Sequence, residues 1–238
     1  MEATLPTTKR ISARLAASIF FLLCVPLSIW DQFYVPSVIF VPQDPAATAT
    51  NLLANEFIFR TSIISHLLGF LAFAFMMLLF ARIFRPVDKN LSRLMEFSVL
   101  AQVAVVFIFE VFNLTALMVL KGAPRLTLDL AQQQEVVYLF MRMQRTATGA
   151  GMGKFFIGLS FIPFGVLVFR SGFAPRIIGI MLIIGGVGYV ADCCIAILLQ
   201  RPDYLAARSA LIYTVGGYFM ALLWFVIKGV RDPKAIKT

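Results

Sequence analysis

Six stretches of this chain are apolar over about 20 residues or more, the length a helix needs to cross a hydrocarbon layer of about 30 Å. They lie near residues 14–38, 58–82, 94–120, 148–170, 175–199 and 209–229. Inside a bilayer every backbone N–H and C=O has to be paired within its own segment, so such runs fold as helices. The expected fold class is therefore all-α, a polytopic bundle of six transmembrane helices in a single transmembrane domain over residues 1–238. Composition points the same way: 60% of the residues are apolar, 14% are charged and the mean hydropathy is +0.88. Soluble domains run near half apolar and a quarter charged.

The first stretch is the least regular, because Pro26 should bend it and Asp31-Gln32 interrupts it before Phe-Tyr-Val-Pro resumes. Lys9, Arg10 and Arg14 ahead of an apolar run imitate a signal peptide. No small-residue cleavage pattern follows, so the segment is read as a retained span.

The net charge of +9 would suggest nucleic acid on a soluble domain. On a membrane protein an excess of Lys and Arg marks the cytoplasmic loops. Lys9, Arg10, Arg14, Arg82, Arg85, Lys89, Arg93, Arg170, Arg176, Lys228, Arg231, Lys234 and Lys237 fall at one set of span ends, thirteen of the 21 basic residues. Both termini are thus expected in the cytoplasm of a bacterial inner membrane, with the lipid bilayer as partner and no nucleic acid.

The longer connections lie on the other side. Residues 39–57 start with Pro42 and Pro45 and should be extended, with a short helix from Thr48 to Glu56. Over residues 123–147, Leu126, Leu130, Val137, Phe140 and Met141 recur at helical spacing, while Gln132 to Glu135 and Arg142 are polar. That pattern predicts an amphipathic outer-side helix near 126–147, lying on the membrane or lengthening the fourth span.

Ionisable groups within membrane spans are costly and mark function by default. At 1.5 Å of rise per residue, Asp31, Glu110 and Asp192 each lie about 25 Å from the cytoplasmic start of their spans, toward the outer side. Arg60 and Lys154 lie near the outer starts of spans two and four, His66 lies about 13 Å in from Phe57, and Tyr213 is at similar depth. Helical phase places Ser62, Ser65, His66 and Gly69 on one arc and Gln102, Glu110 and Asn113 on another. Asp192 shares a face with Gly185 and Gly188, small residues that favour close helix approach. The expectation is an outward-facing pocket lined by Asp31, Arg60, His66, Glu110, Asn113, Lys154 and Asp192, closed below by an apolar plug. The competing reading is that Arg60 or Lys154 pairs with Glu110 or Asp192 and only braces the bundle.

Other motifs carry little. Cys24, Cys193 and Cys194 sit in apolar runs without metal spacing. One histidine excludes a bis-histidine haem site from this chain alone. No Glu-x-x-His or His-x-x-x-His spacing supports a metal at His66, and no metal ligands are assigned. Proton relay through His66, Glu110 and Asp192 is the simpler use of the same groups. The Gly149-Ala-Gly-Met-Gly153 stretch follows no strand and lacks the Lys-Ser/Thr ending of a phosphate loop, so it reads as helix packing or a hinge. Met141, Met143 and Met152 read as irregular apolar packing. With no serine elbow and no acid pair of known separation, hydrolase chemistry has no support and no catalytic residue is assigned.

Several segments resemble a known group: Ala13-Arg14-Leu15-Ala16, Phe59-Arg60, Gly158-Leu-Ser-Phe, Val168-Phe-Arg-Ser-Gly172-Phe-Ala-Pro-Arg176-Ile-Ile-Gly179, and Gly188-Tyr-Val-Ala-Asp192. In these the chain resembles the bacterial membrane family catalogued as domain of unknown function 4386. The resemblance implies a multi-helix inner-membrane protein in which a Phe-Arg-Ser-Gly turn with Pro-Arg links two helices. It favours Arg60 and Asp192 as shared positions. Many members carry extra histidines around the fourth span where this chain has residues such as Arg145 and Ser160, which weakens a metal or haem reading further. The family brings no activity and no cofactor.

Three classes of function follow. The first is binding or translocation of a small solute or proton through the polar pocket, with Asp192 and Glu110 bearing charge, Arg60 and Lys154 as counter-charges and His66 as proton carrier. The second is an accessory subunit of a larger membrane complex, with other subunits or a homo-oligomer as partners. The third is an intramembrane enzyme or sensor, and the absence of a catalytic motif leans against an enzyme.

Overall fold

A computed structural model of the chain describes residues 7–122, 127–147, 152–199 and 217–230. The expectations for Leu126, Gly149, Gly151, Tyr213, residues 209–216 of the sixth stretch, and Arg231, Lys234 and Lys237 lie outside the described residues, as do those on the side chains of Lys9, Arg10 and Met152. The protein is an all-α membrane bundle, with no strand among the described residues. Five helical segments there are long and apolar enough to cross a membrane: Ile11–Ile39, Glu56–Phe84, Lys89–Leu120, Gly153–Ser171 and Arg176–Leu198. A shorter apolar helix, Gly217–Ile227, represents the sixth stretch.

The first segment is built in five pieces: α1 (Thr7–Ile19), a π turn at Phe20–Cys24, α2 (Val25–Ser28), a second π turn at Ile29–Tyr34, and α3 (Val35–Ile39). Pro26 and Pro36 explain the pattern. Neither has an N–H to give the preceding turn, and the helix widens by one residue just before each. The N–H of Val25 then reaches the carbonyl of Phe20, and that of Val35 reaches Trp30. The second π turn holds Asp31.

Next comes α4 (Pro45–Ala54), capped by the Asp44 carboxylate on the N–H of Ala47, with Pro45 opening the helix. The helices α5 (Glu56–Phe84) and α6 (Lys89–Leu120) follow. Amphipathic α7 (Leu130–Arg145) begins with a capping box between Asp129 and Gln132. The bundle then continues with α8 (Met152–Ser171), α9 (Arg176–Leu199) and α10 (Gly217–Ile227).

The tightest pairing is between α8 and α9, and glycines dictate it. A Cβ on Gly158 would lie 2.5 Å from the carbonyl oxygen of Gly186, and one on Gly165 would lie 2.7 Å from that of Gly179. These two antiparallel glycine pairs, seven residues apart on each helix, let the backbones touch. The close approach of α8 and α9 therefore runs through Gly179 and Gly186. Gly217 does the same for α10, where a Cβ would come within 2.6 Å of the Met181 Cβ.

Two apolar clusters occupy opposite ends of the bundle. One gathers Ala16, Phe80, Phe84, Phe164, Leu167 and Phe225. The other gathers Ile39, Leu52, Phe59, Ile63, Ala116 and Val137. Outward-facing side chains such as Leu22, Phe33, Phe57, Phe97, Ile108 and Leu198 are large, apolar and exposed, as lipid contact requires. Around the first cluster Arg14 donates to the carbonyl of Ile227 at 3.0 Å and Arg170 pairs with Asp88 at 3.1 Å. These contacts bring the start of α1, the end of α10, the α5–α6 turn and the end of α8 to one end of the molecule.

Candidate functional site

Three spans change from apolar to polar between the two clusters, and the polar residues meet there. Asp31 comes from the second π turn, His66 from α5, and Glu110 and Asn113 from α6. All four line a cavity of about 530 Å³, with α7 contributing Met141, Gln144 and Arg145 and α8 contributing Lys154.

Glu110 is the anchor. It is 2% exposed and accepts hydrogen bonds from three side chains. His66 Nδ1 and Gln144 Nε2 reach Oε1, the latter at 2.6 Å, and Asn113 Nδ2 reaches Oε2 at 2.9 Å. A carboxylate surrounded by donors has its charge spread over several short contacts, which is what makes its burial tolerable. Against an ionised Glu110, which can only accept, a neutral imidazole carries its proton on Nδ1 and turns Nε2 the other way. There it faces Asp31 Oδ2 at 3.8 Å, beyond hydrogen-bonding distance. The imidazole thus stands between two buried carboxylates, bonded to one and separated from the other by a gap. The edge of the Phe70 ring packs against it, with centroids 5.0 Å apart.

The walls are fastened from outside. Trp30 Nε1 donates to Thr61 Oγ1 at 3.3 Å, tying the π turn to α5. On α7, the Arg145 guanidinium lies 4.5 Å above the Phe40 ring, and the Tyr138 hydroxyl accepts from the N–H of Gln43 at 2.9 Å. Burial lowers the affinity of Arg145 for its proton. Cation–π contact with Phe40 compensates in part for the lost water.

Lys154 Nζ donates to Asp192 Oδ2 at 2.7 Å, joining the start of α8 to the C-terminal part of α9. Both side chains are largely withdrawn from solvent. Lys154 lines the cavity, and Asp192 holds it from behind. Arg60 stands apart: its side chain is half exposed and pairs with Glu56 one turn back at 2.7 Å, while Glu56 also accepts from Lys121 at 2.9 Å. The counter-charge expected of Arg60 toward Glu110 or Asp192 is not formed, because the i, i+4 partner is nearer.

Sequence reading did not assign Gln144 or Arg145 to the pocket. Their signal was their place at the end of the amphipathic helix, beside Met141. Among the described residues no group of three or more His, Cys, Asp or Glu side chains is arranged to hold a metal ion.

A second, smaller cavity of about 230 Å³ adjoins the first, the two sharing Gln32, Phe70, Ile157 and Tyr189 in their walls. It is lined mainly by aromatic rings, and fully buried Gln102 stands in its wall.

The chain is 27% identical over 156 residues to an uncharacterized protein of Archaeoglobus fulgidus, covering 65% of this chain and 75% of that one. No solved structure matches it. The family model described as Domain of unknown function (DUF4386) matches residues 16–229, nearly the whole bundle and every residue of the polar cluster, and the chain belongs to that family.

Proposed function

We propose that this membrane protein binds a small solute bearing a hydrogen-bond donor, or a proton, in the cavity lined by Asp31, His66 and Glu110. The observation that carries the reading is the gap of 3.8 Å between His66 Nε2 and Asp31 Oδ2. Glu110 already accepts from three donors, whereas an ionised Asp31 and a neutral His66 with its proton on Nδ1 both present acceptors to the cavity. A donor reaching both from the cavity side, such as an ammonium with two N–H groups, or a proton taken up by one and shared with the other, would satisfy both.

The basic residues at the opposite end support an orientation with that end in the cytoplasm and the cavity outward. In this arrangement the aromatic cluster around Phe80, Phe84, Phe164 and Phe225 closes the route inward. Binding from outside therefore needs no rearrangement, while translocation needs that cluster to part.

Native mass spectrometry of the protein gently extracted from its own membrane, with Asp31→Asn alongside, tests the proposal. A small ligand that travels with the wild type and is lost from the variant supports it. If no small ligand travels with the wild type, or the same one stays with the variant, the cluster is bracing; co-extracted polypeptides would then favour an accessory subunit.

A further inference from the structure

Gln102 poses a separate problem. It lies on α6 two turns before Glu110, is 0% exposed, and neither its amide nitrogen nor its amide oxygen has a hydrogen-bond partner among the described residues. A buried amide left unpaired forfeits the hydrogen bonds it made with water. In a helix facing apolar neighbours, leucine would fill the position without that cost. Gln102 stands instead in the wall of the smaller cavity.

The shape of that cavity narrows the choice of partner. At about 230 Å³ it exceeds the roughly 150 Å³ of an engineered apolar cavity that accepts benzene, so one ring with a substituent fits. Its walls are mainly rings, among them Phe20, Phe70, Phe73, Phe161, Tyr218 and Phe219, with Ser28 and Gln32 as further polar lining. Phe161 and Tyr218 stack at 4.7 Å, and Phe20 meets Tyr218 edge-on at 5.0 Å. The Tyr218 hydroxyl is directed to the Met76 sulfur at 3.6 Å. Flat aromatic walls favour a flat guest. A primary amide with one donor side and one acceptor side is complementary to a guest edge that carries an acceptor next to a donor.

We infer that this chamber is a binding subsite for a planar ring bearing an amide-like edge, a carboxamide or lactam, recognised by the side-chain amide of Gln102. The site does not depend on occupation of the Asp31–His66 cavity.

The probe is 4-fluorobenzamide, observed by fluorine NMR with the whole protein in lipid nanodiscs, with 4-fluorotoluene as the ring without the edge. The wild type should bind the amide. Gln102→Leu should weaken it about tenfold, the equivalent of one net hydrogen-bond pair, while leaving 4-fluorotoluene bound at least as well. Retained binding of 4-fluorotoluene shows that the variant is folded with its chamber intact. His66→Asn should leave both probes unaffected, which separates this site from the polar cavity. Equal binding of the amide by wild type and Gln102→Leu overturns the inference. So does the absence of wild-type binding by either probe, the result expected if confined water is all that Gln102 meets.

Discussion

His66 Nε2 and Asp31 Oδ2 face each other across 3.8 Å inside the bundle, with side chains only 8% and 6% exposed. No side-chain hydrogen bond to Asp31 forms among the described residues, so its charge contributes little to holding the fold. Asp31→Asn should therefore leave the unfolding midpoint in mild detergent unchanged or raised, while abolishing capture of a donor ligand. A marked loss of stability would show that Asp31 is a structural partner.

Glu110 behaves oppositely. Glu110→Ala leaves His66, Asn113 and Gln144 without their shared acceptor and should cost about 3 kcal/mol, the usual scale for removing one member of a buried charged network. Glu110→Gln keeps one acceptor oxygen and should cost less. Because His66 is the only histidine in the chain, labelled histidine gives a single ring spectrum that reports the same contact. The proton should be found on Nδ1, and its signal should move in Glu110→Gln.

The Lys154–Asp192 pair should be visible in a double-mutant cycle. Lys154→Met and Asp192→Leu each strand a charge with little access to water, and each should destabilise by about 2–3 kcal/mol. The double variant should recover much of that loss, since it strands nothing. Additive losses, measured by thermal unfolding, would mean the two residues do not act together.

Glycine substitutions separate tight from roomy contacts. Gly165→Ala drives a methyl to 2.7 Å from the Gly179 carbonyl oxygen and should destabilise by about 1–3 kcal/mol through forced separation of α8 and α9. Gly69→Ala meets Leu27 Cβ at an ordinary 3.6 Å and should be neutral or stabilising, because alanine is the better helix former. Unfolding in detergent checks both.

The spans were legible because solvent alone decides them: 20 apolar residues in lipid have one outcome. Residues 45–54 and 130–145 were legible through their caps and spacing, although the short helix begins at Pro45 rather than Thr48. Depth along each span brought Asp31, His66, Glu110 and Asn113 to one level, since rise per residue is fixed. Depth does not give azimuth, however. Asp31 reaches the cavity from a π turn, which breaks the ordinary phase count, and the Pro36 that causes it lies five residues later. Gln102 shares an arc with Glu110 but sits about 12 Å along the helix from it, far enough to face another chamber. Arg60 stays outside the cluster, since Glu56 one turn back on the same helix is the nearer partner and depth alone does not show it.

The glycine contacts between α8 and α9 also bear on how the protein enters the membrane. Four residues, 172–175, separate the two helices, so they meet with almost no chain to close. Alone, α8 would carry an unpaired ammonium into lipid and α9 an unpaired carboxylate, whereas together they bring the two as a joined pair. Entering lipid as one hairpin, the two segments neutralise each other's charge and cover each other's bare backbone without help from the rest of the bundle.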